Sequence, residues 1–399
     1  MSLIVSSNVG IANHKNANRT NSFQSILGGE NAFYKRSDYQ TTTSKEFTQN
    51  SLLPVSYRWN TEYKIIRITK QLLSIIIFPI GIYKLIHFLV GKLAIVPAST
   101  PSLIGYRKNH AIQSRSAILK KLDGDFKYKR LTIEVDGYQI DTTILGKPST
   151  LDNGRWILAS NGNAEFYEDK LHSYEFKEIL SRLNANAIVF NYPGVGASTG
   201  LPNRQAMAKA YRAILAFAED KQNGLDAKEI IGYGHSIGGG VQGDALNMHN
   251  LKKDVKYVFI KSRTFSDLST EVSCIIAKIA GFLVKVIGWN ISSIKSSIQL
   301  RAPEIILQTA AFRVPGIIAQ TSGFFNLERY VLGSLELKES SRIIDDGVIR
   351  AEASLAKALL DNPKCFKNKV FLGIREKHND ELGNNSLSCL IQKINELLS

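Results

Sequence analysis

The stretch Gly232-Tyr233-Gly234-His235-Ser236-Ile237-Gly238-Gly239-Gly240 constrains this chain more than any other part of it. Gly234 to Gly238 spell the pattern G-x-S-x-G, with the apolar run Ile230–Tyr233 before it and a segment able to start a helix after it. A serine held between a strand and a helix sits on a sharp turn with its hydroxyl aimed outward. Glycines, lacking a Cβ, let the two elements approach each other there. Backbone strain at the serine and the amides of the following helix N-terminus suit a nucleophile that attacks a carbonyl. The pattern occurs twice, since Gly196-Ala197-Ser198-Thr199-Gly200 also matches. Ser198 lacks the context: its strand ends near Asn191 or Tyr192, and Leu201-Pro202 follows in place of a helix. Ser236 is therefore the candidate nucleophile, and Ser198 is expected in a structural loop. The glycines around Ser198 are also one residue out of step with the dinucleotide-binding spacing G-x-G-x-x-G.

A serine on such a turn works with an acid and a histidine that follow it in that chain order. Two histidines lie downstream, His249 and His378. His249 is expected about three turns along the helix that Ser236 opens, and is carried away from the nucleophile. His378 follows the strand-like run Val370–Ile374, on a loop from which an imidazole can reach the serine. Asp346 is the expected orienting acid because Gly347-Val348-Ile349 fits an acid loop, with Asp345 and Asp267 as alternatives. One carboxylate should accept the His378 Nδ1 proton and stabilise the imidazolium. The backbone amides of Ile237 and Asn163 are expected to form the oxyanion hole.

Around these residues the pattern alternates strand and helix. Trp156–Ala159, Ala187–Asn191, Ile230–Tyr233, Val255–Ile260, Gly316–Ala319 and Val370–Ile374 read as short buried strands. Tyr174–Leu183, Arg204–Glu219 and Ala351–Leu360 read as helices. Asp136-Gly137 between two β-branched runs signals an antiparallel hairpin. The expected fold is α/β, a mostly parallel sheet with helices on both faces, preceded by that hairpin. A helical cap is expected over about 265–312, where Glu271, Lys278 and Lys285, spaced by seven, form a charged stripe on an otherwise apolar helix. Such a helix is either a core helix or a lid over the site. The domain organisation expected is a mobile polar arm over 1–55, a basic apolar segment over 56–125 and the catalytic domain over 126–399.

Charge is distributed unevenly. Residues 1–130 hold 19 Lys and Arg against 6 Asp and Glu, while the remainder holds 31 against 29. The basic third surrounds the apolar run Leu72–Val90, a pairing that favours an anionic membrane surface over nucleic acid. Pro79 and Gly81 lie within the run's apolar core, and Lys84 and His87 interrupt it soon after, so it falls short of the roughly 20 clean residues of a spanning helix. An interfacial or hairpin anchor is favoured over a span or simple burial. The first residues carry no long apolar stretch, so export by the general secretory route is not expected. Cys274, Cys365 and Cys389 are too few and too scattered for a disulfide framework or a zinc site, and no metal or cofactor is expected.

With those residues placed, the chain resembles the serine α/β-hydrolases. "RWILASNGNAEFYE", "AIVFNYPGVGASTGLP" and "EIIGYGHSIGGG" are similar to a group containing deacylating enzymes, in which H-G-N-A follows one strand. Asn161 stands where that group has histidine. A closer resemblance, carried by "IIIFPIGIYKLIHFLVGKLAIVPAS", "GHSIGGGVQ", "IIDDGVIRAEASLAKALL" and "FLGIREKHNDEL", is to the SidB/Sdb lipase-like effectors of Legionella, with relatives in Chlamydia. That resemblance implies a lipase-like enzyme, made in a bacterial cytoplasm and moved into a host cell by type IV secretion; with the basic, apolar N-terminal segment, a membrane-associated serine esterase or lipase is expected. A protein acyl-thioesterase and a catalytically silent scaffold are the alternatives.

Overall fold

The computed structural model describes residues 44–122, 126–313, 330–332, 335–336, 341–362 and 368–399. The chain enters through a short helix α1 (Ser44–Thr48) and a strand β1 (Val55–Trp59). Two apolar helices follow, α2 (Lys64–Ile76) and α3 (Phe78–Val90). Pro79 lacks an N–H and its ring would crowd the preceding turn, so it cannot sit inside one long helix. The backbone leaves the helical region at Ile77, and Pro79 occupies the first turn of α3. After α4 (His110–Leu122) come β2 (Lys127–Val135) and β3 (Tyr138–Gly146). Asp136 and Gly137 join them with φ of 47° and 87°, the left-handed pair that a tight two-residue hairpin turn requires.

The central sheet is then laid down strand by strand. β4 (Arg155–Ser160) leads to α5 (Tyr167–His172) and α6 (Tyr174–Arg182), and β5 (Asn186–Phe190) to α7 (Arg204–Glu219). The Asn203 side chain caps α7 by accepting from the amides of Gln205 and Ala206. β6 (Glu229–His235) and α8 (Ile237–Leu246) flank Ser236. β7 (Lys256–Ser262) opens into the cap, made of α9 (Leu268–Ile275), α10 (Lys278–Val286) and α11 (Ile294–Gln299). The chain returns as β8 (Glu304–Arg313), with β9 (Tyr330–Leu332), β10 (Leu335–Glu336) and β11 (Ser341–Ile343) as short antiparallel additions. It closes with α12 (Leu355–Leu360), β12 (Lys369–Ile374) and α13 (Asn384–Leu398).

The strand order is β1-β2-β3-β5-β4-β6-β7-β8-β12-β10. From β5 to β12 the neighbours run parallel, and β3 is antiparallel to both β2 and β5. Alternation along β4 shows how the two faces are filled. Trp156 and Leu158 join the core under α7 and α8, whereas Ile157 and Ala159 join the core under α5, α6 and α13. A parallel sheet buried on both faces is the α/β architecture that the alternating pattern implied.

Several boundaries differ from those expected. The basic segment is not set apart from the sheet, because β1 pairs parallel with β2 and buries Tyr57 and Trp59 in the core. The end of the polar arm is ordered as α1, whose Phe47 is fully buried. The strand expected at Gly316–Ala319 lies outside the described residues, and the strand after the cap is β8, so the cap ends before Glu304 rather than near 312. The single striped helix is in fact two, α9 and α10, broken at Ile276-Ala277. Gly281 lets them pack closely, since a Cβ there would overlap Ser273. Glu271 is buried while Lys278 and Lys285 are exposed, so the stripe does not share one environment.

A buried ionic cluster fastens the N-terminal elements to the sheet. Arg115 of α4 donates to Asp141 Oδ2 (3.2 Å) and Tyr167 (3.3 Å), and also pairs with Glu168. Arg130 Nε reaches Asp141 Oδ1 at 2.7 Å. Both arginines also donate to the Gln49 carbonyl, tying in the segment after α1. Replacing Arg115 with Met would leave the buried Glu168 without a cation and Asp141 with Arg130 alone, and removal of one partner of such a pair costs about 3–5 kcal/mol. Urea unfolding of Arg115→Met should show a loss of that size. A loss below about 1 kcal/mol would mean the cluster does not hold these elements down.

Candidate functional site

Ser236 has φ 55° and ψ −128°, a strained conformation for a residue with a side chain. It is held from both sides. Its amide donates to the Ser262 carbonyl at the end of β7 (3.0 Å), and its carbonyl accepts from Thr264 Oγ1 (2.7 Å). A Cβ at Gly234 would lie 2.7 Å from Gly239 Cα, and one at Gly238 would lie 2.7 Å from the Ser160 carbonyl oxygen. Glycine is therefore required at both positions for β6 and α8 to meet around the serine and pack over β4. Ile237 is the first residue of α8, so its amide lies at the helix N-terminus beside Ser236.

The histidine and acid come from two loops at the same end of the sheet. Asp346, 1% exposed, presents Oδ2 to His378 Nδ1 at 2.9 Å. Its Oδ1 accepts from the amides of Val348 (2.9 Å) and Ile349 (2.6 Å), and the His378 amide returns to the Asp346 carbonyl at 2.9 Å. With Nδ1 held by a carboxylate, Nε2 is left to exchange a proton with a hydroxyl. The imidazole ring stands 4.7 Å from that of His235, the residue just before Ser236. Burial and the nearby Arg263 guanidinium push His235 well below the usual histidine range, so it is neutral.

The other candidates are placed elsewhere. Asp345 is exposed and bonds Arg350 Nη1 (2.8 Å) and the Ala351 amide (2.7 Å). Asp267 caps α9 through the Thr270 amide. His249 is not on the helix that Ser236 opens: α8 ends at Leu246, and His249 pairs with Glu219 at 3.0 Å. Ser198 accepts from the Asp141 amide and donates to the Asn191 carbonyl, both at 2.9 Å, which is the loop role expected for it. Asn163 is exposed in the turn after β4, where the Gly162 amide is taken by Glu165 Oε2 (2.7 Å). Asn161 is fully buried with its Nδ2 on the Phe190 carbonyl (3.0 Å), and the Tyr192 hydroxyl donates to its backbone oxygen (2.8 Å). It thus serves as a packing residue at the base of that turn.

Three contributors were not foreseen from the sequence. Arg263, 2% exposed with φ 47°, donates to the carbonyls of Lys377 (2.6 Å) and Asp380 (2.7 Å), gripping the loop that carries His378. Thr264 pins the elbow as described. Glu271 of the cap accepts from the Arg350 amide (3.2 and 3.3 Å), tying α9 to the acid loop. The sequence signal for Arg263 and Thr264 is position, just past the end of β7, and for Glu271 its place in the charged stripe. Beside His378 lies a polar pocket of about 270 Å³, to which Glu165, Lys170, Tyr233, His235 and Arg263 contribute. Among the described residues, no group of three His, Cys, Asp or Glu side chains is placed to hold a metal ion.

This sheet order and this strained serine between strand and helix define the α/β-hydrolase fold. Within it, the chain belongs to the family described as Chlamydia CHLPS protein (DUF818), whose model matches residues 36–332. The match stops short of Asp346 and His378. Among curated proteins the chain is 27% identical over 157 residues to the human phosphatidylserine lipase ABHD16A, covering 39% of this chain and 26% of that one. The mouse lipase of the same name is 26% identical over the same length. The chain thus aligns with about a quarter of the lipase's length. Solved structures it resembles include the Pyrococcus furiosus esterase Pf2001, at 11% identity and TM-score 0.45 over 69% of this chain and 92% of that one. An α/β hydrolase from Vibrio vulnificus gives 14%, 0.47, 70% and 83%.

Burial pushes the Glu271 carboxyl up to about 7, helped by the charges of Asp346 and Asp345 and opposed by the Arg350 amide. A carboxyl raised in the folded state destabilises the fold increasingly as pH climbs from its unfolded value near 4.5 through 7. Glu271→Gln removes that penalty. The variant should match the wild type near pH 4 and exceed it by up to about 3 kcal/mol at pH 8. Denaturant midpoints that show the same offset at both pH values would contradict this.

Proposed function

We propose that the protein is a serine hydrolase that cleaves carboxylic acyl esters of lipids. The observation that carries the proposal is the strained Ser236 elbow facing the end of the sheet where Asp346 holds His378 Nδ1. In this mechanism His378 Nε2 takes the Ser236 proton as Oγ attacks the ester carbonyl. The amides of Ile237 and Asn163 hold the tetrahedral oxyanion. His378 then returns the proton to the departing alcohol, leaving an acyl-serine. A water activated by the same imidazole attacks that acyl-serine, releases the carboxylic acid and restores the hydroxyl. Asp346 keeps the imidazole in the useful tautomer and stabilises its charged form without itself taking the proton.

A lipid substrate is favoured by the surroundings of the site. The pocket beside His378 is polar, whereas the cap is apolar, with Ile276 72% and Ile279 71% exposed. An amphiphilic ester has a part for each. The similarity to a phosphatidylserine lipase points to the same class of substrate. The resemblance to effector hydrolases extends the proposal to a protein delivered into a host cell. A translocation reporter fused to the intact chain, compared between secretion-competent and secretion-deficient bacteria, tests that part.

Labelling of the intact protein with a fluorophosphonate probe tests the chemistry. Wild type should label and hydrolyse short acyl esters, and Ser236→Ala should do neither. Asp346→Asn should lose roughly 10³–10⁴ in kcat, while Asp345→Asn stays within a few-fold of wild type. Failure of wild type to label would instead support a silent scaffold. Faster release of palmitate from a peptide thioester than from a glycerolipid would move the assignment to a protein thioesterase.

A further inference from the structure

The N-terminal hairpin α2–α3 and the cap hairpin α9–α10 are far apart in sequence yet joined in space. Trp289, fully buried at the end of the cap hairpin, donates from Nε1 to the His87 carbonyl at 2.7 Å and stacks on the His87 ring at 4.6 Å. His87 Nδ1 in turn meets the Ile287 carbonyl at 2.7 Å. Two glycines make the approach possible: a Cβ at Gly91 would overlap the Trp289 ring, and one at Gly288, where φ is +82°, would overlap the Tyr83 hydroxyl. The junction is fully packed, but the flanking helices are not. Ile75, Ile76 and Phe78 are 74–78% exposed on one hairpin, and Ile276, Ile279 and Phe282 are 62–72% exposed on the other. Monomeric soluble proteins rarely leave so much contiguous apolar surface in water.

Charge indicates what covers it. Residues 63–122 contain ten Lys and Arg and no Asp or Glu, and residues 272–303 contain four and none. Arg67 and Lys70 of α2 are paired with Asp136 and Glu62, but these apolar segments themselves carry only cations, which makes the face complementary to an anionic lipid surface. The geometry argues against a span. Phe78–Ile95 is long and apolar enough to cross a bilayer by length and composition, but its second half is fastened to the cap through His87 and Gly91. Lipid cannot surround a helix when one face of its second half, at His87, Gly91 and Ile95, is packed on protein. α2, at 13 residues and about 20 Å, is shorter than the roughly 30 Å of a hydrocarbon core.

We infer that the two hairpins form one composite face that docks on the headgroup–acyl boundary of an anionic membrane. The inference rests on the lipid-ester reading for its purpose and names the surface from which the substrate comes. The cap and Ser236 arise at the same end of the sheet, since the cap leaves β7 next to Ser262, whose carbonyl holds the Ser236 amide. Docking therefore brings the membrane to the site.

Co-sedimentation of the full chain with phosphatidylcholine vesicles, with and without phosphatidylglycerol, tests the inference. Binding should need the anionic lipid and fall with added salt. Ile75→Asp/Ile76→Asp and Phe282→Asp/Val286→Asp, all at exposed positions, should each weaken partitioning at least tenfold, and both should leave turnover of a soluble short-chain ester unchanged. Loss confined to the first variant would overturn the composite face, leaving only an N-terminal anchor. Equal binding of all three proteins would overturn it as well. So would a stable dimer, broken by these substitutions, with no vesicle binding: the face would then be an interface between two copies. Binding is read without turnover, so a failure of the hydrolase assignment leaves this result interpretable.

Discussion

The backbone strain at Ser236 is the constraint around which the rest is arranged. A residue with a side chain at φ 55° and ψ −128° persists only where its surroundings over-determine it. Here Ser262 and Thr264 hold its amide and carbonyl, and the bare backbones of Gly234 and Gly238 let β6, α8 and β4 close around it. The supports come from the end of β7 and its outgoing loop, from β6 and from α8 packed over β4. The elbow therefore exists only when the centre of the parallel sheet is in register.

The surroundings of the site divide between two solvents. On the His378 side, carboxylates, Lys170 and Arg263 line a polar recess, and Arg263 also fastens the histidine loop. On the cap side exposed apolar side chains predominate, and the buried Trp289 fastens the cap to α3. Glu271 links the halves, because it sits on the cap yet contacts the backbone of the acid loop. A buried carboxyl that must lose its proton near neutrality is a costly choice for such a link. That cost falls where the cap meets the backbone just after Asp346.

Much of the site was legible in the chain order. Two serines matched one pattern, and the strand before Ser236 with the helix after it distinguished them. The structure gives Ser198 a purely local task in the loop above Asp141. The choice between Asp345 and Asp346 was less accessible, because adjacent residues on a turn point in different directions and only one meets His378. The cap was misread as one striped helix because spacing by seven assumes an unbroken helix. Ile276-Ala277 is a break, and nothing in its composition announces one. The extent of the sheet was also underestimated. β1 is short, separated from β2 by α2, α3 and α4, and becomes a strand only by pairing with β2.

By itself the sequence determined the local chemistry: a glycine-flanked serine between strand and helix, a hairpin at Asp136-Gly137, a histidine after the last strand, and a basic, apolar N-terminal region. These follow from steric rules, periodicity and charge, which act over a few neighbouring residues. Only the tertiary structure decided which carboxylate meets the histidine, that Arg263 grips its loop, and that residues near 87 and 289 lock two apolar hairpins into one face. Those are contacts between segments separated by tens to hundreds of residues. Their partners are selected by packing and by burial of charge, and neither quantity exists until the chain has folded.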